Sequence, residues 1–187
     1  MTTAPRNPWP SPGRRIVVVG TTGVGKTALA RRLARHLGLP HIELDALNWE
    51  PGWVAASLDT FRARVAQALA GETWVVDGNY SRVRDLVWSR ADTVIWLDYA
   101  LPVILGRLLR RTIRRIFTRE VLWAGNRETF RGGFLSRDSL FLWALRTYGR
   151  RKREYPALFQ QPEYAHLTVI RLRSPRQTRR WLRGLGR

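Results

Sequence analysis

An α/β fold, a parallel sheet with helices on both faces, is the class this sequence predicts, and three observations predict it. Short apolar runs alternate with amphipathic stretches of helical period along the chain. The runs are rich in Val and Ile and lack polar alternation, as in strands buried on both faces. The 187 residues, 44% hydrophobic and 25% charged, suffice for one domain with a sizeable core.

Each element has its own signal. Residues 14–20 are a Val-rich run flanked by arginine and glycine, hence a strand. A helix over 26–37 carries Leu29, Ala30, Leu33, Ala34 and Leu37 on one face and is stopped by Gly38 and Pro40. Residues 41–45 read as a second strand. Ser57 caps a helix over 57–70 with Phe61, Val65 and Leu69 on one stripe. Strands follow at 73–77, 93–98 and 167–172, and helices at 81–90, 102–118, 137–153 and 175–185. Residues 1–13 carry four prolines and no apolar run, and are expected to be a flexible extension ahead of a single domain over 14–187. No stretch approaches the ~18 apolar residues of a membrane span, so a cytoplasmic protein without an obligate protein partner is the expectation.

Composition narrows the chemistry. There is no cysteine, which excludes disulfides, Cys-ligated zinc and a thiol nucleophile; His36, His41 and His166 show no metal spacing. The formal net charge is +19, which points to an acidic partner such as nucleotide phosphates, nucleic acid or an anionic membrane surface. The excess is uneven: +4 over residues 1–93 and +15 over 94–187. Only Lys26 and Lys152 are lysines, and GC-rich codon usage accounts for an arginine excess as readily as function does.

Ligands of parallel α/β sheets lie beyond the carboxyl ends of the strands. The expected ends are Gly20, Asp45, Asp77, Asp98 and Leu172, three of them aspartates. Asp98 also fits a cap for the helix that follows it. Gly20-Thr21-Thr22-Gly23-Val24-Gly25-Lys26-Thr27 satisfies G-x-x-x-x-G-K-[ST] between a strand and a helix. The glycines let backbone N–H groups curl around phosphates at a helix N-terminus. Lys26 reaches the β- and γ-phosphates and Thr27 ligates Mg²⁺. Asp77 closes the run Trp74-Val75-Val76-Asp77, of Walker B form, and is the second candidate metal residue. No Asn-Lys-x-Asp guanine reader is found, so ATP is the expected nucleotide.

Residues 41–53 (HIELDALNWEPGW), 74–85 (WVVDGNYSRVRD) and 90–99 (RADTVIWLDY) follow the phosphate loop in that order. Together these segments resemble the adenylate kinase-like P-loop proteins, most closely the group named DNA topology modulation or FlaR-like proteins. The resemblance spans about residues 14–185; its second half matches mainly in layout. It implies a P-loop NTPase fold with a five-stranded parallel sheet and a small lid, here about 119–136. In such kinases the loop after the second strand forms the acceptor pocket, and an aspartate there meets the acceptor hydroxyl in the shikimate- and gluconate-kinase relatives. Asp45 takes that place as base or orienter, with Trp53, Asn79, Tyr80 and Arg82 as further acceptor-side candidates. In nucleoside monophosphate kinases the Asp-Gly after the third strand precedes Phe-Pro-Arg. Here Asp77-Gly78 precedes Asn79-Tyr80-Ser81-Arg82, the arginine one residue late, so an acceptor other than AMP is implied. Trp49 and Trp53 read either as a flat wall for a ring or as loop packing.

The arginine-rich half completes the expectation. Over 102–118, Leu105, Leu108, Leu109, Ile113 and Ile116 lie on one side and Arg107, Arg110, Arg111, Arg114 and Arg115 on another. A kinase lid needs cations against the equatorial oxygens of the transferring phosphoryl group. Arg111 and Arg115 are the leading candidates, with Arg119, Arg127, Arg131 and Arg137 behind them. The same arginines suit non-specific nucleic-acid backbone binding or a solvated face. Arg173, leaving the last strand, is a candidate base-side contact by the same resemblance. The expected function is transfer of the γ-phosphoryl group of ATP to a small nucleotide- or metabolite-type acceptor. The alternatives are a nucleic-acid-associated ATP-binding regulator or a polynucleotide kinase.

Overall fold

The computed structural model describes residues 9–118, 120–127 and 140–185, with the side chain of Leu140 excepted. In chain order the elements are β1 (Arg15–Gly20), α1 (Lys26–Leu37), β2 (His41–Glu43), α2 (Leu44–Asn48), β3 (Trp49–Glu50), β4 (Val54–Ala55), α3 (Leu58–Ala68), β5 (Trp74–Asp77), α4 (Arg84–Arg90), β6 (Thr93–Leu97), α5 (Leu101–Phe117), α6 (Leu140–Leu158), β7 (Thr168–Leu172) and α7 (Pro175–Gly184). Five strands form one sheet in the order β2-β5-β1-β6-β7, every pair parallel. Strands β3 and β4 form a separate antiparallel pair around a 3₁₀ turn at Pro51–Trp53.

Alternation along the strands builds two cores. Val17, Val19, Trp74, Val76, Val94 and Trp96 point to the face covered by α3, α4 and the end of α6. Ile16, Val18, Val75, Ile95, Leu97 and Ile170 point to the face covered by α1, α5 and α7, where Leu33, Ile104 and Trp181 are buried. Ser57 caps α3 as expected, its hydroxyl accepting from Thr60 N at 3.1 Å. Of the extension expected to be flexible over 1–13, residues 1–8 lie outside the described residues. Trp9 packs against the second core and Gly13 N donates to Thr93 Oγ1 at 2.9 Å, so its last part is held.

Three expectations are corrected. β2 ends at Glu43 and the chain winds into α2, which puts Asp45 in a helical first turn instead of at a strand end. The reason is a close approach: Leu44 sits on Gly78 (φ +144°), where a Cβ would meet Leu44 Cβ at 2.7 Å. α5 turns Ile104, Leu108 and Thr112 inward and leaves Leu109 and Ile113 about two-fifths exposed, so of the expected apolar stripe Leu108 is buried while Leu109 and Ile113 are not. Leu108 is drawn in by Gly23, where a Cβ would lie 2.9 Å from Leu108 Cβ. α6 runs past Arg153 and through Pro156, because Tyr155 and Phe159 pack on Trp88 and Trp96. That aromatic burial outweighs the single helical bond that proline cannot make.

These packing differences give a stability contrast. Phe61→Ala, fully buried, should cost about 3–5 kcal/mol. Leu109→Ala should change stability by no more than about 0.5 kcal/mol despite its place in the apolar pattern. Urea denaturation of the two variants checks both.

Candidate functional site

The site is built around the end of β1. Gly20, Gly23 and Gly25 all have positive φ (146°, 84° and 102°), and Gly25 caps α1 in the left-handed region. At Gly20 a Cβ would stand 2.6 Å from Leu97 O on the neighbouring strand, so no other residue fits there. Lys26 folds back over the loop, its Nζ donating to Gly20 O at 3.1 Å and to Thr21 O at 3.4 Å. Burial lowers the Lys26 pKa to about 8; Arg151 and Arg111 push the same way, while Asp45 and Asp77 oppose them.

Thr27 Oγ1 donates to Asp77 Oδ1 at 2.9 Å, joining the first turn of α1 to the end of β5. Asp77 is buried, and its Oδ2 meets His41 Nε2 at 2.8 Å. A hydroxyl and a carboxylate together suit a hard cation such as Mg²⁺, which takes few protein ligands when phosphates supply the rest.

A glycine loop with three left-handed glycines, closing a central parallel strand and opening a helix with a half-buried lysine, decides the architecture. The fold is that of a P-loop NTPase. Residues 16–98 match the family model of the ATPase family associated with various cellular activities (AAA). The ATP-dependent protease ATPase subunit HslU of Desulfovibrio desulfuricans is 34% identical over 123 residues, which are 65% of this chain and 25% of that one. This chain thus spans about a quarter of that curated relative's length. Over nearly its whole length the P-loop domain superposes on a gluconokinase from Sinorhizobium meliloti (TM-score 0.53, 21% identity, 97% of this chain and 94% of that one). A shikimate kinase from Bacteroides thetaiotaomicron gives a TM-score of 0.52 at 18% identity, over 92% of this chain and 96% of that one.

A second carboxylate, Asp45, also lies within electrostatic reach of Lys26. Asp45 is largely desolvated, and burial raises its pKa from the ordinary carboxylate range, opposed by Tyr80 and Lys26. The Tyr80 hydroxyl donates to Asp45 Oδ1 at 2.5 Å. Asn79 is bound to the P-loop itself: Gly20 N donates to its Oδ1 at 3.2 Å, its Nδ2 donates to Gly20 O, and Tyr155 OH donates to Oδ1 at 3.1 Å. Asn79 therefore braces the loop rather than presenting itself to an acceptor.

Trp53 is 37% exposed with φ 60°, in edge contact with Trp49 (5.6 Å) and Trp123 (6.4 Å). Asn126 fastens this loop to the start of the expected lid, its Oδ1 accepting from Trp53 N (3.0 Å) and its Nδ2 donating to Glu50 O (2.9 Å). Arg82 is exposed, with its carbonyl taken by Arg62. Arg84 instead lines a small cavity of about 20 Å³ with Asn79, Tyr80 and Tyr155.

Among the lid arginines, Arg111 is close enough to Lys26 to depress its pKa. Arg115 pairs with Glu120 at 3.5 Å. Arg127 is exposed, and its carbonyl accepts from Trp53 Nε1 at 3.2 Å. Arg119, Arg131 and Arg137 and most of 119–136 lie outside the described residues. Arg173 is exposed beyond β7, its N–H bound to Gln177 Oε1 at 2.7 Å. Two arginines not singled out above reach the loop. Arg107 Nη1 donates to Val24 O at 2.6 Å. Arg151, buried on α6, donates to Gly20 O at 3.4 Å. Arg107 belongs to the basic stripe of α5, but nothing in the spacing of α6 marks Arg151 among its neighbours Arg150, Lys152 and Arg153.

The lowered Lys26 pKa has a measurable consequence. A bound polyanion favours the charged lysine, so nucleotide affinity should be highest below pH about 8 and fall as pH rises through it. Proton uptake should accompany binding in that range, seen by calorimetry in buffers of different ionisation enthalpy. Lys26→Met should bind weakly and without this dependence.

Proposed function

We propose that this protein transfers the γ-phosphoryl group of ATP to a hydroxyl of a small acceptor. The observation that carries the reading is a pair of carboxylates near the P-loop lysine in two different environments. Asp77 is bonded to Thr27 and His41, and Asp45 is desolvated beside Tyr80. A kinase needs one acidic group at the metal and another at the nucleophile.

The residues divide the work as follows. The P-loop amides and Lys26 cradle the β- and γ-phosphates. Thr27 and Asp77 would hold Mg²⁺, which supplies charge neutralisation between the phosphates. Asp45 accepts the proton of the acceptor hydroxyl as its oxygen forms the bond to γ-phosphorus and the bond to the ADP oxygen breaks. The phenolic hydrogen bond favours the ionised form of Asp45 against the larger effect of its burial. Arg111 and Arg151 lie near enough to Lys26 to face charge on the transferring group. The loop of Trp49 and Trp53, with the Trp123 edge, is the acceptor wall. The gluconokinase and shikimate kinase folds support a hydroxylated metabolite as acceptor.

The match of residues 16–98 to the AAA family and the likeness to HslU favour a second reading, ATP hydrolysis with no acceptor. The net charge of +15 over residues 94–187 and the resemblance to the DNA topology modulation group favour contact with nucleic acid, as a regulator or a polynucleotide kinase.

ATP consumption measured against sugars, polyols, nucleosides, nucleotides and DNA ends separates these readings. One acceptor should raise turnover far above the basal rate; equal rates with every compound would favour plain hydrolysis. With the true acceptor, Asp45→Asn should lower turnover by ~10²-fold or more while nucleotide binding stays intact. The turnover of wild type should fall as pH drops through the raised Asp45 pKa, at higher pH than an ordinary carboxylate would give. DNA retention should be weak. Binding that falls ~10³–10⁵-fold between low and moderate salt, indifferent to ATP, would support the nucleic-acid reading instead.

A further inference from the structure

His41 has no part in the scheme above, yet its ring bonds directly to Asp77. It sits on the edge strand β2, and its Nε2 lies 2.8 Å from Asp77 Oδ2. An ionised carboxylate only accepts, so Nε2 carries the hydrogen. On the opposite edge of the ring Nδ1 stands 3.8 Å from Glu43 Oε1, beyond hydrogen-bond reach. Glu43 is in turn paired with Arg31 and accepts from Trp123 Nε1 at 3.1 Å. The hydrogen bond of the imidazole is thus to Asp77, with Glu43 standing beside the ring.

Asp77 has both oxygens engaged, Oδ1 by Thr27 and Oδ2 by His41, and its side chain is 3% exposed. With Oδ2 pinned, Oδ1 is restricted to the side of Thr27. Without the pin, the carboxylate can rotate about its terminal torsion, which is broad and two-fold. One oxygen would then lose a charge-assisted hydrogen bond in a buried place.

We propose that His41 is a positioning residue for the metal side of the P-loop, orienting Asp77 through its Nε2–H while touching neither nucleotide nor metal. The proposal rests on the reading of Thr27 and Asp77 as the Mg²⁺ residues. Partners that orient metal-binding carboxylates typically matter by 10–100-fold in metal affinity.

The test is the Mg²⁺ concentration at which a non-hydrolysable ATP analogue half-maximally raises the melting temperature of the full chain. His41→Leu removes the donor and should raise that midpoint about tenfold or more. His41→Gln places an amide N–H near the reach of Nε2 and should stay within about threefold of wild type. His41→Asn is polar but too short, and should behave like His41→Leu; it carries the test if the leucine variant does not fold. A merely structural role would lower the melting temperature without nucleotide and leave the midpoint alone. Equal midpoints in the Gln and Asn variants, or a wild-type midpoint in His41→Leu, would overturn the proposal provided that Asp77→Asn raises the midpoint. If Asp77→Asn leaves the midpoint unmoved, the metal reading itself fails and this proposal with it.

Discussion

The carbonyl of Gly20 is the point on which the arrangement depends. It ends the central strand, and three donors from three elements converge on it: Lys26 Nζ from α1, Asn79 Nδ2 from the turn after β5 and Arg151 Nη1 from α6. Two of those donors are cations, so the strand end gathers positive charge before any anion arrives. Gathering it costs desolvation, visible in the lowered pKa of Lys26 and of Arg151. A polyanion at the loop would repay that cost, as the proposed reading requires.

The two acidic side chains owe their difference to what surrounds them. Asp77 lies under α1, where Thr27 and His41 occupy its oxygens. Asp45 lies in the first turn of α2, where desolvation works against its charge and only Tyr80 and the field of Lys26 work for it. Two carboxylates whose environments push them apart are a general device for separate roles. The turn of the chain at Leu44 over Gly78 is what creates the second environment.

Through Asn126, Trp53 and Trp123, the candidate acceptor loop is tied to the segment that follows α5. Glu43 connects that segment onward, accepting from Trp123 and standing beside His41. A continuous set of contacts therefore runs from the acceptor wall to the metal side of the P-loop. Movement of residues 120–127 would be felt at both.

Much of this was legible in the residues. The order of strands and helices, the cap at Ser57, the phosphate loop with Lys26 and Thr27, and the aspartate closing β5 all follow from local pattern: apolar period, turn chemistry and a motif whose spacing is set by backbone geometry. Local pattern failed where distant residues decide. Whether Asp45 ends a strand or starts a helix depends on Gly78, 33 positions on. Leu108 of α5 packs on Gly23, and the apolar pattern of α5 does not separate it from the exposed Leu109 and Ile113. Arg151 looks like its basic neighbours in sequence and is singled out only because the packing of Tyr155 turns that face of α6 toward Gly20. The sequence by itself determined the fold class and the phosphate loop, because both arise from neighbours along the chain. The partners of Asp77, the environment of Asp45 and the choice of arginine were decided only by the tertiary structure, because burial and long-range contact set the charge and orientation of a side chain.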